Sequence, residues 1–233
     1  MSQNGNHHRS GTVEFEAARH EMVARQIVGR GIQSVRVLEA MSSVPRHLFV
    51  PPEHVSKAYA DEPLPIGEGQ TISQPFMVAA MADALSLDGH ERVLEIGAGS
   101  GYQAAVVSLL AREVIAVETQ PALAAAASER LLELGYKNVR IEVGDGSLGW
   151  PSDAPYDAIL VTAAAPDVPP PLVEQLADGG RLVLPVGSAD QQDLVRIVKR
   201  DGSSTRESLF ACRFVPLLGR YGWRQNSQEP PRG

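Results

Sequence analysis

Three closely spaced glycines and a later acid have the residue types and spacing to bind a nucleotide-like ligand. Gly97, Gly99 and Gly101 directly follow the apolar run 93–96, and glycine lets a backbone turn approach a ligand that a Cβ would exclude. Glu118 lies 21 residues after Gly97, where an acid can accept hydrogen bonds from both hydroxyls of a ribose. The alternative for Glu118 is a solvated carboxylate at the end of a strand.

Four further residues near these glycines could contact the same ligand. Asp145 and Gly146 follow a later strand, and the Asp145 carboxylate could accept from an adenine amino group, although aspartate is also common in ordinary turns. Glu95 precedes the first glycine and could approach a cationic part of the ligand, directly or through water, or could only orient the turn. Ser100 offers an N–H and a hydroxyl.

The glycine spacing favours S-adenosylmethionine over a dinucleotide. A dinucleotide site has the pattern G-x-G-x-x-G, whereas here the third glycine comes one residue early and Tyr102 stands in its place. The loop has no Arg or Lys for a pyrophosphate, and S-adenosylmethionine has a ribose, an adenine and a positive sulfonium instead. A G-x-G-x-G pattern after an acid resembles motif I of class I S-adenosylmethionine-dependent methyltransferases. The simpler alternative is a turn that only packs a helix on a strand.

A second unusual stretch, residues 63–75, contains three prolines and two glycines. These residues disfavour regular structure, so the stretch predicts a loop that enters a helix at Pro75. Thr71 and Ser73 give the loop hydroxyls that could contact a small ligand. The alternative is that Ser73 or Gln74 only caps the helix.

The elements that position these residues alternate regularly along the chain. Short apolar strands are separated by helical segments, which predicts an α/β fold with a doubly wound, mainly parallel sheet covered on both faces. Two late strands form a predicted hairpin across Asp201-Gly202. Ligands bind beyond the carboxyl ends of the strands in such sheets, so the polar residues at those ends should form one site.

The chain divides into four parts by composition. Residues 1–12 are rich in Asn, His, Gly and Ser and are predicted to be disordered, and 13–62 form a predicted helical lobe. Residues 63–223 form the Rossmann-like domain, which includes the loop 63–75 and the late strand hairpin. The polar tail 224–233 is predicted to be flexible.

Composition restricts the classes of partner. The chain has 233 residues and a formal net charge of −7, which argues against nonspecific nucleic-acid binding. Its single cysteine fits a reducing compartment, so we expect a cytoplasmic protein, with no metal site and no disulfide. No apolar run is long enough to span a membrane, and we expect a monomer without membrane or nucleic-acid partners.

Five segments that occur together, in this order along the chain, carry a more specific resemblance. With 44–50 and 214–217, they resemble protein-L-isoaspartate O-methyltransferases over about residues 20–218. The segment 65–75 discriminates this family from other methyltransferases. The segments are PIGEGQTISQP (65–75), VLEIGAGSGY (93–102), GDG (144–146), PYDAILVTAAAP (155–166) and GGRLVLPVG (179–187).

The resemblance implies a repair activity. A member of this family uses S-adenosylmethionine to methylate the free α-carboxylate of isoaspartyl residues in damaged proteins and peptides, and the ester then re-forms a succinimide. The resemblance assigns Ser73 as the active-site residue, also close to the cofactor. Thr71 and Thr162 are expected to help bind the substrate carboxylate, and Thr71 also the cofactor. A carboxylate is already ionised at neutral pH, so Ser73 is expected to align it rather than to attack.

Two other classes remain open from the sequence. A methyltransferase for a small-molecule hydroxyl would need a base or a metal for the less acidic oxygen, and no candidate cluster is apparent. A non-catalytic adaptor could keep the cofactor fold only for binding, which the intact glycine motif disfavours.

Overall fold

The amino-terminal part of the chain is a helical lobe. The computed structural model describes residues 4–224, and side chains from residue 13 onward. Helix α1 (Asn4–Met22) continues into a π-helical turn over 23–27, and α2 (Val35–Ser43) is followed by two 3₁₀ turns. Residues 4–12 lie within α1, because an established helix extends at much lower cost than a new one nucleates. The disorder of 1–12 stays a prediction. The predicted flexible tail lies, from residue 225, outside the described residues.

A small antiparallel hairpin connects this lobe to the main domain. Strands β1 (Leu64–Gly67) and β2 (Gln70–Ile72) are joined by the two-residue turn Glu68-Gly69, with φ of 50° and 69°. Two positive φ angles are typical of a type I′ hairpin turn. The prediction of an irregular loop is wrong here. Pro65 has no N–H to donate to a neighbouring strand, but both strands of a two-stranded ribbon are edge strands, where proline is tolerated. Helix α3 (Pro75–Leu85) follows and begins at the predicted proline.

A seven-stranded sheet forms the body of the protein and confirms the predicted fold class. Its order is β5-β4-β3-β6-β7-β8-β9; the pairs from β5 to β7 are parallel, and β8 and β9 add in antiparallel fashion. The predicted hairpin between β8 and β9 is present, and it turns at Asp201-Gly202. The strands are β3 (Arg92–Ile96), β4 (Glu113–Glu118), β5 (Val139–Val143), β6 (Tyr156–Val161), β7 (Leu176–Gly187), β8 (Gln192–Arg200) and β9 (Ser203–Cys212).

Strand β3 lies at the centre of the five parallel strands, between β4 and β6. The chain leaves β3 through α4 (Tyr102–Ser108) to reach β4 on one side, and later returns through β6 on the other. Such a reversal of strand order opens a crevice beyond the carboxyl ends of the strands. The other helices, α5 (Pro121–Glu133) and α6 (Pro170–Glu174), help cover the sheet.

One acidic residue is buried inside this central strand. Glu95 is fully buried between Ala116 of β4 and Leu160 of β6. Neither of its carboxyl oxygens has a hydrogen-bond partner within the described part of the chain. Burial, with a smaller contribution from the charge of Glu118, raises the pKa of Glu95 well above its usual value. Glu95 therefore keeps its proton in the folded protein at pH values where it has lost it in the unfolded chain.

This proton makes stability depend on pH. The folded state binds one proton more than the unfolded state above the unfolded pKa of about 4.3. The free energy of unfolding should therefore fall by up to about 1.4 kcal/mol per pH unit as pH rises above that value, until the folded carboxyl ionises too. Glu95→Gln should lack this component. We expect urea denaturation from pH 4.5 to 7 to show the stability of wild type falling relative to the variant, with Glu113→Gln as control. If the free energies of unfolding of wild type and Glu95→Gln changed in parallel with pH, a raised pKa of Glu95 would be refuted.

Candidate active site

Three adjoining cavities lie beyond the carboxyl end of β3. The Glu118 cleft is lined by Gly97, Gly99, Glu118, Gly146 and residues 215–218, among others. The Ser73 cavity, of about 620 Å³, lies toward the lobe and β9, and a smaller Ser100 pocket lies against the start of α4. Thr71 and Thr162 line all three cavities, so these two residues mark the point where the cavities meet.

The glycine turn forms the wall between the Glu118 cleft and the Ser100 pocket. Gly97 and Gly99 have φ of 94° and 52°, which favour glycine. A Cβ on Gly97 would lie 2.6 Å from the Thr162 hydroxyl oxygen, so this position also excludes a side chain by contact. Both glycines line the cleft, where the sequence predicts a cofactor.

Gly101 does not line any of these three cavities. Its φ is 86°, and a Cβ there would lie 3.1 Å from a methyl carbon of Leu131 in α5. Its N–H donates to the carbonyl of Ala98. The structure thus gives the third glycine a role in the turn and in helix packing, and its cofactor contact stays a prediction.

Glu118 joins the glycine turn to the end of β4. One carboxylate oxygen accepts from the N–H of Gly99 at 2.8 Å, and the other accepts from the N–H of Gln120 at 2.9 Å. The residue is buried yet lines the cleft. A carboxylate offers about four lone-pair sites, so two remain for a ligand. The adjacent Ile96 and Val117 give the cleft an apolar surface on which a flat ring could pack.

Asp145 and Gly146 are placed differently from one another. Gly146 lines the cleft, and a Cβ there would lie 2.4 Å from a methyl carbon of Ile96. Asp145 does not line it. Its carboxylate accepts from the N–H and hydroxyl of Ser147 and from the N–H of Arg220. The predicted adenine contact of Asp145 stays a prediction.

Thr162 holds the turn in place from β6. Its hydroxyl donates toward the carbonyls of Gly97 at 2.7 Å and Ile96 at 3.1 Å. Because a hydroxyl has one proton, Thr162 has none left to donate to a substrate carboxylate in this arrangement. Ser100 lines its pocket, and Glu95 lines none of the three cavities.

The β1–β2 hairpin and the start of α3 supply the hydroxyls of the Ser73 cavity. Thr71 lies on β2, and Ser73 lies between β2 and the helix, where it lines both the Ser73 cavity and the Ser100 pocket. The N-cap residue of α3 is Gln74, and its side chain makes no capping hydrogen bond. The structure therefore does not show the capping role that was the alternative for Gln74.

Sequence reasoning missed one component of the site. Residues 215–218, after β9, line the Glu118 cleft, and Val215 and Pro216 also line the Ser73 cavity. The family resemblance of 214–217 was the available signal, but it gave these residues no role. Their position depends on tertiary contacts with residues 145–147 and 164, which local sequence does not encode.

The site offers binding and orientation rather than acid–base chemistry. His47 lies in the lobe, where its ring stacks on Phe15 at 4.1 Å and its Nδ1 lies 2.8 Å from the Tyr59 hydroxyl. Among residues 4–224, no group of three or more His, Cys, Asp or Glu side chains is placed to hold a metal ion.

In the same part of the chain, no helix is long and apolar enough to cross a membrane.

Sequence comparison gives one consistent family. The family model described as protein-L-isoaspartate(D-aspartate) O-methyltransferase matches residues 17–222. A protein-L-isoaspartate O-methyltransferase from Geobacter metallireducens is 56% identical over 212 residues, which cover 91% of this chain and 98% of the relative. One from Methanoregula boonei is 56% identical over 206 residues, which cover 88% of this chain and 94% of the relative.

Solved structures agree with the sequence comparison. A protein-L-isoaspartate O-methyltransferase superposes with a TM-score of 0.79 at 30% identity, covering 87% of this chain and 67% of that one. A Plasmodium falciparum protein described as of this type, in complex with S-adenosyl-L-homocysteine, gives a TM-score of 0.73 at 26% identity, covering 86% and 98%. The chain therefore belongs to the protein-L-isoaspartate(D-aspartate) O-methyltransferase family.

Proposed function

We infer that this enzyme transfers the methyl group of S-adenosylmethionine to the free α-carboxylate of L-isoaspartyl residues in damaged proteins and peptides. The ester then re-forms a succinimide, which starts repair. The observation that carries this inference is the meeting of the Glu118 cleft and the Ser73 cavity at Thr71, in a chain of this family. One cavity suits the cofactor, and the other suits a peptide.

The residues of the Glu118 cleft fit the cofactor. Gly97 and Gly99 leave room that a side chain would fill, and Glu118 has acceptor sites left for the two ribose hydroxyls. Ile96 and Val117 offer the adenine an apolar surface, and Gly146 lets it approach. Ser100 is proposed to bind the methionine part from its pocket. When bound, the cofactor supplies an electrophilic methyl group.

The residues of the Ser73 cavity fit an ionised acceptor. An isoaspartyl α-carboxylate has a pKa near ~4 and is ionised at neutral pH, so the chain needs only to orient it and to exclude water. Ser73 and Thr71 are proposed to donate to one carboxylate oxygen and so direct the other at the methyl group. Among its described lining residues the cavity has Arg30 and Arg213 and no acidic side chain, which favours an anionic substrate.

The other two classes receive less support. A small-molecule hydroxyl would need a base, and no His, Asp or Glu lines the Ser73 cavity within the described residues. A binding-only adaptor would not need a second cavity of about 620 Å³ beside the cofactor cleft. We also propose that the enzyme works as a cytoplasmic monomer on polypeptides and not on nucleic acid. The net charge of −7 argues against nucleic-acid binding, and the single cysteine fits the cytoplasm.

The direct test uses two synthetic peptides of one sequence, with isoaspartate or aspartate at the same position. We expect methylation of the isoaspartyl peptide alone, followed by the appearance of succinimide. Equal methylation of both peptides, or of neither, would contradict the proposed function.

Glu118→Gln tests the cofactor cleft. The substitution keeps the shape but replaces one acceptor oxygen by a donor, so S-adenosylmethionine binding should weaken by about 1–3 kcal/mol. Calorimetry would measure this, with Glu113→Gln at the other end of β4 as a matched control. Unchanged affinity would remove Glu118 from the cofactor site.

Ser73→Ala tests the orienting role. Loss of one hydrogen bond to a charged group should lower kcat for the isoaspartyl peptide by about 10–100-fold. The affinity for S-adenosylmethionine should change little. Ser203→Ala, in the β8–β9 hairpin, is a control. Full activity of Ser73→Ala, or a labelled methyl group found covalently on Ser73 of the wild type, would refute this role.

A further inference from the structure

A segment that follows β9 forms a wall common to both main cavities. We call residues 215–223 the strap. Residues 215–218 line the Glu118 cleft, and two of them, Val215 and Pro216, also line the Ser73 cavity. Any displacement of the strap would therefore change both cavities together.

The strap is fixed at one side to the chain that follows β6. The N–H of Ala164 donates to the carbonyl of Val215, and the N–H of Leu217 donates to the carbonyl of Ala164, both at 2.8 Å. The indole N–H of Trp223 donates to the same Ala164 carbonyl at 3.1 Å. Trp223 is buried, so the strap ends in a packed anchor.

The other side of the strap is held by Asp145 and Ser147. Asp145 accepts from the backbone N–H of Arg220 at 2.8 Å. Ser147 is completely buried; its hydroxyl donates to Asp145 at 2.6 Å and accepts from the N–H of Tyr221 at 3.0 Å. The two side chains thus bind consecutive backbone N–H groups of the strap.

Gly219 shows how closely the strap approaches this anchor. Its φ is 149°, and a Cβ built on it would lie 2.0 Å from a carboxylate oxygen of Asp145. No side chain fits there unless the strap or Asp145 moves. Gly219→Ala should therefore break the same contact as a change of Asp145 itself.

We propose that Asp145 is a positioning residue, which acts through Ser147 and the strap to set the wall shared by the two cavities. The proposal rests on the proposed function, because it takes the Glu118 cleft to hold the cofactor and the Ser73 cavity to hold the peptide. It assigns Asp145 a different task from the predicted adenine contact. An adenine contact would affect the cofactor alone, whereas a positioning role affects cofactor and peptide together.

Kinetics of three variants separate these roles. In Asp145→Ala and Gly219→Ala, KM for S-adenosylmethionine and KM for an isoaspartyl peptide should rise in parallel, by about 10-fold each. Gly202→Ala is the matched control, because Gly202 also has a positive φ, of 73°, but a Cβ there meets no atom within 4 Å. It should keep both wild-type KM values.

A second measurement reports on the strap without any turnover. The chain has two tryptophans, so Trp150→Phe leaves Trp223 as the only indole. In this background and without cofactor, Asp145→Ala and Gly219→Ala should shift Trp223 emission to longer wavelength and increase its quenching by acrylamide. Gly202→Ala should do neither.

Two results would overturn the proposal. One is a rise in KM for S-adenosylmethionine alone with unchanged Trp223 emission, which would indicate an adenine contact. The other is wild-type KM values for both substrates in Asp145→Ala and Gly219→Ala. Should Asp145→Ala fail to fold, Ser147→Ala, which removes the acceptor for Tyr221, takes its place with the same expectations. If the wild-type enzyme did not methylate an isoaspartyl peptide, the proposed function would be refuted. The Trp223 measurement would still test the position of the strap.

Discussion

The hydrogen bond from the Gly99 N–H to the Glu118 carboxylate, at 2.8 Å, is the contact on which the site depends. It ties the turn after β3 to the end of β4, and Thr162 ties the same turn to β6 through the Gly97 carbonyl. The glycine turn is thus held from both neighbouring strands. Because the turn is also the wall between the Glu118 cleft and the Ser100 pocket, its position determines the shape of the proposed cofactor site.

Two glutamates close to this turn show how environment sets the role of one residue type. Glu118 accepts from two backbone N–H groups and lines a cleft, so its remaining lone pairs are open to a ligand. Glu95 is enclosed in the sheet with no partner within the described residues, and burial raises its pKa. A protonated Glu95 avoids placing a second negative charge beneath the cofactor cleft, where it would repel Glu118.

The sequence predicted the parts of the fold that local pattern encodes. Alternating strands and helices, the glycine turn and the Asp201-Gly202 hairpin follow from periodicity and turn chemistry. For the site, the carboxyl ends of the strands pointed to Glu118 and the family resemblance pointed to Ser73. Both residues line cavities in the structure, and their roles stay proposals. The β1–β2 hairpin was missed because the prolines and glycines of 63–75 were taken to exclude regular structure, whereas Gly69 belongs to a two-residue hairpin turn.

The structure gives three of the predicted site residues contacts that the sequence did not suggest. Gly101 and Gly99 look alike in sequence, yet Gly101 packs on α5 while Gly99 lines the cleft. Thr162 has a suitable hydroxyl, but the Gly97 carbonyl uses its proton. Asp145 is bound by Arg220, 75 residues later in the chain, and no local pattern predicts such a contact.

A crystal structure of the enzyme with S-adenosyl-L-homocysteine and an isoaspartyl peptide would show directly which cavity holds the cofactor and which holds the peptide. We expect both ribose hydroxyls within about 3.2 Å of Glu118 and the sulfur at the junction near Thr71. The isoaspartyl carboxylate should lie beside Ser73. Adenosine bound outside the Glu118 cleft, or a peptide carboxylate bound away from Ser73, would refute the proposed roles of these two cavities.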